Sequence, residues 1–156
     1  MNGKFEKITT WILVLLSLFG FSVASYLTWV HYNPPLPGEE VFGCIAGGSC
    51  AAVNASEYSV IFGIPVALIG TMGYLLIFVL ILDRLINKSK NVASLIFLFS
   101  LIGAFFQGYL VYISATIIRA YCSLCLMSMA TISLITILSF FLAFPCLREL
   151  WDKYVE

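Results

Sequence analysis

Residues 119–144 read RAYCSLCLMSMATISLITILSFFLAF, an apolar run that begins with a Cys-x-x-Cys motif. From Cys122 to Phe144 the run contains no Lys, Arg, Asp or Glu. A helix rises ~1.5 Å per residue, so about 20 apolar residues are enough to cross a hydrocarbon core of ~30 Å. This stretch therefore predicts a membrane-spanning helix that carries two cysteines, Cys122 and Cys125, at its start.

The composition of the whole chain agrees with a membrane protein. Of its 156 residues, 62% are hydrophobic and 10% are charged, which is far from the usual balance of a soluble domain. Charged residues are costly inside a bilayer, and four apolar runs lack them. We expect an all-α integral membrane protein, a single domain of residues 1–156, folded as a four-helix bundle with spans at about 9–30, 60–82, 92–118 and 122–144.

The charges set the orientation and exclude one class of partner. Eight basic and eight acidic residues give a net charge of zero, so the chain lacks the basic excess of a nucleic-acid-binding protein. Only Arg119 falls on the outer side of the four predicted spans. The other basic residues share the opposite side: Lys4, Lys7, Arg84, Lys88, Lys90, Arg148 and Lys153. The positive-inside rule then predicts that both termini are cytoplasmic. The host is expected to be a prokaryotic plasma membrane, with the endoplasmic reticulum as the alternative.

Four cysteines are predicted on the outer face of this membrane, Cys44 and Cys50 in the loop of residues 31–59 and the Cys122–Cys125 pair at a helix start. Cysteines in an oxidising compartment form disulfides. Helix N-terminal amides and the macrodipole favour a thiolate there, and Arg119 adds positive potential. The pattern favours redox catalysis. Two structural disulfides and a four-cysteine zinc site are the alternatives, and the single histidine gives no His-rich metal site.

The remaining polar features lie close to these cysteines. The glycine-rich residues 45–49 predict a flexible loop in which Cys50 moves, and residues from about Cys50 to Tyr58 predict a short interfacial helix that covers the bundle. The fifth cysteine, Cys146, is predicted at the cytoplasmic boundary as a reduced thiol. Polar contacts for a flat aromatic ring are expected from Gln107, Tyr109 and Tyr112, with lipid contact or packing as the alternative for the tyrosines.

Taken together, these residues resemble the vitamin K epoxide reductase family, including its prokaryotic disulfide-forming members. The resemblance rests on the loop pair Cys44 and Cys50, on Ser56 six residues after the second cysteine, on the Phe62–Pro65 segment (Phe-Gly-Ile-Pro), and on a Cys-x-x-Cys that opens the last helix. It covers essentially the whole chain.

The resemblance implies a quinone site inside the bundle, covered by the outer loop and its short helix. It also implies an electron path from a reduced thioredoxin-like protein to ubiquinone, menaquinone or vitamin K, without a metal. In that path the partner attacks Cys44, Cys50 attacks a Cys122–Cys125 disulfide at Cys122, and Cys125 reduces the quinone. Thiol–disulfide exchange supports such a path chemically. The expected activity is quinone-dependent disulfide-bond formation in the partner.

The resemblance places Ser56 and Ser59 at the quinone. Ser59 stands where animal members have an asparagine, and Met129 stands where they have a tyrosine, so reduction of vitamin K quinone or epoxide is a secondary expectation. Many prokaryotic members of the family carry a fused thioredoxin-like domain. Residues 1–156 contain no such domain, so the redox partner is expected to be a separate protein. The alternatives are a DsbB-type quinone reductase, which has its Cys-x-x-Cys in the first outer loop, and a non-enzymatic membrane scaffold held by disulfides.

Overall fold

The structure is a computed structural model that describes residues 3–36, 39, 41–44, 50–87 and 90–155. The expected flexibility of residues 45–49 and the surroundings of the Cys146 side chain lie outside the described part. The elements follow in the order α1 (Gly3–Tyr32), α2 (Cys50–Asn54), a 3₁₀ turn (Glu57–Ser59), β1 (Val60–Ile61), β2 (Ile64–Pro65), α3 (Val66–Asn87), α4 (Lys90–Ile113), a π-helical turn (Ser114–Ile118) and α5 (Ser123–Val155).

Within the described ranges, four helical segments are long and apolar enough to cross a membrane: Lys4–Tyr32, Val66–Asn87, Asn91–Ile118 and Ser123–Phe144. Large apolar side chains such as Trp11, Leu15 and Phe105 are exposed on their outer faces. Soluble proteins rarely expose large apolar patches, whereas lipid accommodates them. The prediction of an all-α integral membrane bundle is therefore confirmed.

The four long helices form a closed ring. Helix α1 packs against α3 and α5, and α4 packs against α3 and α5. Each helix contributes one almost completely buried aliphatic side chain to the centre: Leu13, Ile81, Ile96 and Ile135. Hydroxyl pairs join neighbouring helices, Thr28 with Thr71 at 3.3 Å and Ser100 with Ser139 at 3.3 Å. Such interhelical hydrogen bonds contribute about 0.6 kcal/mol each on average in a membrane protein.

The second membrane helix begins at Val66, later than the position near Val60 that we predicted. Residues 60–65 form a hairpin instead, in which Val60 pairs with Pro65 and Ile61 with Ile64. The two residues at its tip, Phe62 and Gly63, have φ angles of 51° and 81°. Two consecutive positive φ values are what a two-residue type I′ turn requires. A right-handed α-helix requires a φ of about −63°, so α3 can begin only after these two residues.

The helix that covers the bundle is shorter than predicted and ends at Asn54 rather than near Tyr58. Its last residue is held to the end of α1 in two ways. Asn54 Nδ2 donates to the Leu27 carbonyl at 3.0 Å, and His31 Nδ1 is 3.1 Å from the Asn54 carbonyl. A carbonyl oxygen can only accept, so His31 Nδ1 carries the proton. The C-terminal end of α2 is therefore fixed to α1.

A tight turn joins α4 to α5. Arg119 has a φ of 53° and ends the π-helical turn. Ser114 Oγ donates to the Ala120 carbonyl, and the Ala120 N–H donates to the Ser114 carbonyl at 3.2 Å. Helix α5 therefore starts beside the end of α4, and its first residues face the short helix α2.

Candidate active site

Cys122 occupies the N-cap position of α5, as the Cys-x-x-Cys spacing predicts. Its carbonyl accepts a hydrogen bond from the Leu126 N–H at 3.1 Å, and its Sγ accepts one from the Cys125 N–H at 3.3 Å. A side-chain oxygen of Ser, Thr, Asp or Asn usually accepts from the third helical N–H at this position. Here a sulfur takes that place. Both Cys122 and Cys125 are free thiols.

The local hydrogen bonds lower the pKa of the Cys122 thiol, which lies just before the membrane span Ser123–Phe144. The largest cause is the hydrogen bond from the Cys125 side chain, opposed by burial, with further help from the backbone N–H groups of Cys125 and Leu124. A lowered pKa leaves more of the nucleophilic thiolate near neutral pH. Arg119, which we expected to add positive potential to that of the helix start, has an exposed side chain.

The loop cysteines Cys44 and Cys50 form a disulfide with a Cα–Cα distance of 6.2 Å. Cys50 and Cys122 are each only 2% exposed and belong to the same buried cluster, together with Leu27, Val41 and Leu124. Cys44 is partly exposed. The fold therefore brings the two cysteine pairs together, with one sulfur of the loop disulfide buried beside the helix pair and the other nearer the surface.

The two middle residues of the Cys-x-x-Cys motif contact the cysteine-bearing loop. Ser123 Oγ donates to the Gly43 carbonyl at 3.2 Å and lies 3.8 Å from Cys50 Sγ. Leu124 Cδ2 is 3.3 Å from the point where a Cβ on Gly43 would stand. The loop is thus packed directly against the first turn of α5.

A cavity of about 90 Å³ lies beneath α2, and all five α-helices contribute to its walls. Cys50, Cys122 and Cys125 line it together. Most of the other lining residues are apolar or small, among them Ala24, Leu27, Val53, Val66, Ala67, Gly70, Leu110, Val111, Ile113 and Ile118. Apolar walls with a few polar groups are typical of sites for small organic ligands.

Three of the five residues predicted to bind the ring line this cavity: Ser56, Ser59 and Gln107. The hydroxyl of Ser56 donates to the Val53 carbonyl at 2.7 Å, and that of Ser59 donates to the Ser56 carbonyl at 2.7 Å. These two serines therefore offer the cavity acceptor lone pairs. Gln107 Nε2 donates to the Cys125 carbonyl at 3.1 Å, which leaves a second amide N–H on the same nitrogen.

Tyr109 and Tyr112 do not line the cavity, and we correct their assignment. They are 60% and 65% exposed on the outer surface of the bundle. The residues of α4 and the adjoining turn that line the cavity are Gln107, Leu110, Val111, Ile113, Ser114 and Ile118. All but Ile113 recur at the three- or four-residue spacing of one helical face. Residues 109 and 112 lie on another face and are placed to contact lipid.

The sequence did not identify Asn54, Ser128 and Tyr74. Asn54 and Ser128 line the cavity. Tyr74 lies behind Ser128, where its hydroxyl is 2.9 Å from the Ser128 carbonyl and 3.1 Å from Ser128 Oγ. In the sequence, Asn54 begins a formal Asn-x-Ser motif, which is a signal for glycosylation rather than for ligand binding. No local pattern marks the Tyr74–Ser128 contact, because the two residues are 54 positions apart.

The arrangement of the cysteines differs from a zinc site. Two of the four sulfurs are bonded to each other in the Cys44–Cys50 disulfide, and a disulfide provides no thiolate ligand. Among the residues that the structure describes, no group of three or more His, Cys, Asp or Glu side chains is placed to hold a metal ion.

The structure has four membrane-spanning helices, and two adjoining cysteine pairs lie beside an apolar cavity. These features are typical of a membrane protein whose chemistry depends on thiol groups. The model of the vitamin K epoxide reductase family matches residues 11–140, which is well over half of the chain. The chain therefore belongs to the vitamin K epoxide reductase family, and it is a membrane oxidoreductase of that kind. The match confirms the resemblance drawn from the sequence.

Proposed function

We propose that this protein is a thiol–quinone oxidoreductase that oxidises a thioredoxin-like dithiol protein and reduces a quinone. One observation carries the proposal: Cys50, Cys122 and Cys125 line the same cavity. The partly exposed Cys44 gives a partner access to the other end of the loop disulfide. Electrons can then pass from the surface to the cavity through sulfur atoms alone.

The proposed exchange balances at each step. A partner thiolate attacks Cys44 Sγ, the Cys44–Cys50 bond breaks, and its electron pair stays on Cys50. The second thiol of the partner then releases Cys44, and the partner leaves as a disulfide. Cys50 next attacks an oxidised Cys122–Cys125 pair at Cys122, and Cys44 closes the loop disulfide again. This returns the state described here, with a loop disulfide and two helix thiols.

The cavity suits the head group of a quinone. Bound there, a quinone would accept two electrons and two protons, which are what two thiols release when they form a disulfide. The second amide N–H groups of Gln107 and Asn54 can donate to ring carbonyls, and the Ser56 and Ser59 oxygens can accept from the hydroxyls of a quinol. Ubiquinone, menaquinone and vitamin K are the candidates.

We further propose that the site faces outward from a prokaryotic plasma membrane, with both termini cytoplasmic; the alternative is a lumenal site in the endoplasmic reticulum. The cysteines lie near the ends of the spans at Tyr32, Val66, Ile118 and Ser123. Lys4, Lys7 and Arg84 lie near the opposite ends. Such an asymmetry of basic residues supports this orientation.

The test uses the full-length protein in lipid nanodiscs with a reduced thioredoxin-like donor, and follows the absorbance of ubiquinone or menaquinone. Cys125→Ala should abolish quinone reduction, and Cys122→Ser should leave electrons on the loop pair. Cys146→Ala is the matched control. It lies 21 residues further along α5 than Cys125, roughly 30 Å at ~1.5 Å per residue, and should not change turnover. Normal turnover by Cys125→Ala would refute the assignment.

A further inference from the structure

The Ser123 hydroxyl takes part in the contact between the loop and α5. Ser123 Oγ donates to the Gly43 carbonyl at 3.2 Å and also lies 3.8 Å from Cys50 Sγ. Ser123 thus bridges the two cysteine pairs, since it is the neighbour of Cys122 in the chain and the neighbour of Cys50 in space. A hydroxyl group has one proton to donate, so the Gly43 carbonyl and Cys50 Sγ compete for it.

In the oxidised loop the carbonyl is the better acceptor. Cys50 Sγ is part of a disulfide, carries no proton and has no charge, and neutral sulfur accepts hydrogen bonds only weakly. A thiolate reverses this preference, because hydrogen bonds to ionised acceptors are roughly twice as strong as neutral ones. The acceptor that Ser123 prefers is therefore set by the redox state of Cys50.

We propose that Ser123 is a positioning residue of the thiol relay, a latch that holds the oxidised loop against α5 and then stabilises the Cys50 thiolate. The proposal rests on the function proposed above. When a partner thiolate bonds to Cys44 Sγ, the Cys44–Cys50 bond breaks and its electron pair stays on Cys50. The Ser123 hydroxyl turns from the Gly43 carbonyl to this sulfur, and no proton is transferred.

This change of hydrogen-bond acceptor has two consequences. The Cys50 thiolate is kept inside the buried cluster that also contains Cys122, the sulfur it attacks next. At the same time the Gly43 carbonyl loses its hydrogen bond, so the Cys44 segment is released while it carries the partner. One hydroxyl thereby holds the nucleophile in place and loosens the partner-bound end.

The first test measures the pH midpoint of Cys50 alkylation in a Cys44→Ala background, where Cys50 is a thiol. The protein is kept reduced, and mass spectrometry identifies which cysteine has been alkylated. Ser123→Ala should raise the midpoint by about one pH unit, equivalent to about tenfold less thiolate at neutral pH. Ser123→Thr keeps the hydroxyl and should restore the midpoint. Ser133→Ala, which removes a hydroxyl that donates to the Met129 carbonyl of its own helix, is the control.

The second test measures how fast dithiothreitol reduces the loop disulfide when all cysteines are present. Ser123→Ala should speed reduction several-fold, because the loop loses the hydrogen bond from Ser123 to the Gly43 carbonyl. Gly43→Ala should do the same while keeping the hydroxyl, since Gly43 has a φ of 83° and an added Cβ would lie 3.3 Å from Leu124. In the Cys44→Ala background, Gly43→Ala should leave the Cys50 midpoint unchanged.

An equal alkylation midpoint in Ser123→Ala and its parent would overturn the latch, as would a Ser123→Thr midpoint equal to that of Ser123→Ala. An unchanged reduction rate in both Ser123→Ala and Gly43→Ala would also overturn it. Neither test contains a quinone or a protein partner. A failure of quinone reduction would therefore count against the proposed function alone, whereas these outcomes count against the latch alone.

Discussion

Gly20→Ala should strain the contact that supports the inner wall of the cavity. A Cβ on Gly20 would overlap the ring atoms Cε1 and Cζ of Tyr74. Tyr74 is 5% exposed, so its ring has little room to move. Its hydroxyl is hydrogen-bonded to Ser128 in the cavity wall. The added methyl group must therefore displace the ring and break the Tyr74–Ser128 hydrogen bond.

The expected cost follows from the parts of this contact. Overpacking a core costs ~1–3 kcal/mol, and an interhelical hydrogen bond in a membrane protein contributes about 0.6 kcal/mol and at most ~1.7 kcal/mol. Replacing glycine by alanine inside a helix returns ~0.5–1 kcal/mol. The net loss in the free energy of unfolding should be ~1–3 kcal/mol.

The assay is reversible unfolding in mixed detergent micelles, followed by circular dichroism, with Gly73→Ala as the matched control. Nothing lies within 4 Å of a Cβ built on Gly73, so this variant should be neutral or slightly stabilising. In a Tyr74→Ala background the cost of Gly20→Ala should disappear, because the clashing ring is gone. An equal cost in both backgrounds would refute the reasoning.

Three further predictions concern the site itself. Alkylation of Cys122 in the reduced protein should have a pH midpoint below the ~8.5 of free cysteine, because a lowered pKa leaves thiolate at lower pH. Cys125→Ala should raise this midpoint by removing the main hydrogen bond to Cys122. An unchanged profile would contradict this. Gln107→Leu should raise the KM for quinone about 2–10-fold without changing how fast a dithiol reduces the loop disulfide; slower loop reduction would assign Gln107 a structural role. Asn54→Ala should speed amide hydrogen exchange across α2 about fivefold, because α2 loses the hydrogen bond from Asn54 to the Leu27 carbonyl. Unchanged exchange would mean that α2 is held by other contacts.

The membrane helices could be predicted from the sequence because the bilayer selects for length and apolar composition, both of which are read directly from the chain. The first turn of α5 was equally accessible, since an N-cap Cys122 and a Cys125 on the first turn follow from local spacing. The hairpin before α3 was missed. Its Phe62-Gly63 turn depends on left-handed backbone conformations, for which Gly63 and the nearby Pro65 gave only a weak signal.

The rotation of the helices could not be predicted. A helix that is apolar on every face, as α4 is, has no polar side to show which residues point inward. Gln107 lines the cavity, in keeping with the preference of a polar amide within a span for the interior, whereas Tyr109 and Tyr112 gave no such information. The contact of Ser123 with Gly43 joins residues 80 positions apart, and only the folded chain brings them together.

The sulfur that caps α5 also bears on the energetics of the Cys-x-x-Cys pair. The Cys125 N–H bonds to Cys122 Sγ, and a thiolate there gains more from that hydrogen bond and from the helix dipole than a neutral disulfide sulfur does. The first turn of α5 therefore stabilises the reduced pair over the oxidised one. Stabilising the dithiol raises its reduction potential. In the proposed relay, the helix start would thus make this pair a stronger electron acceptor toward the loop pair, and a correspondingly weaker electron donor toward a quinone in the cavity.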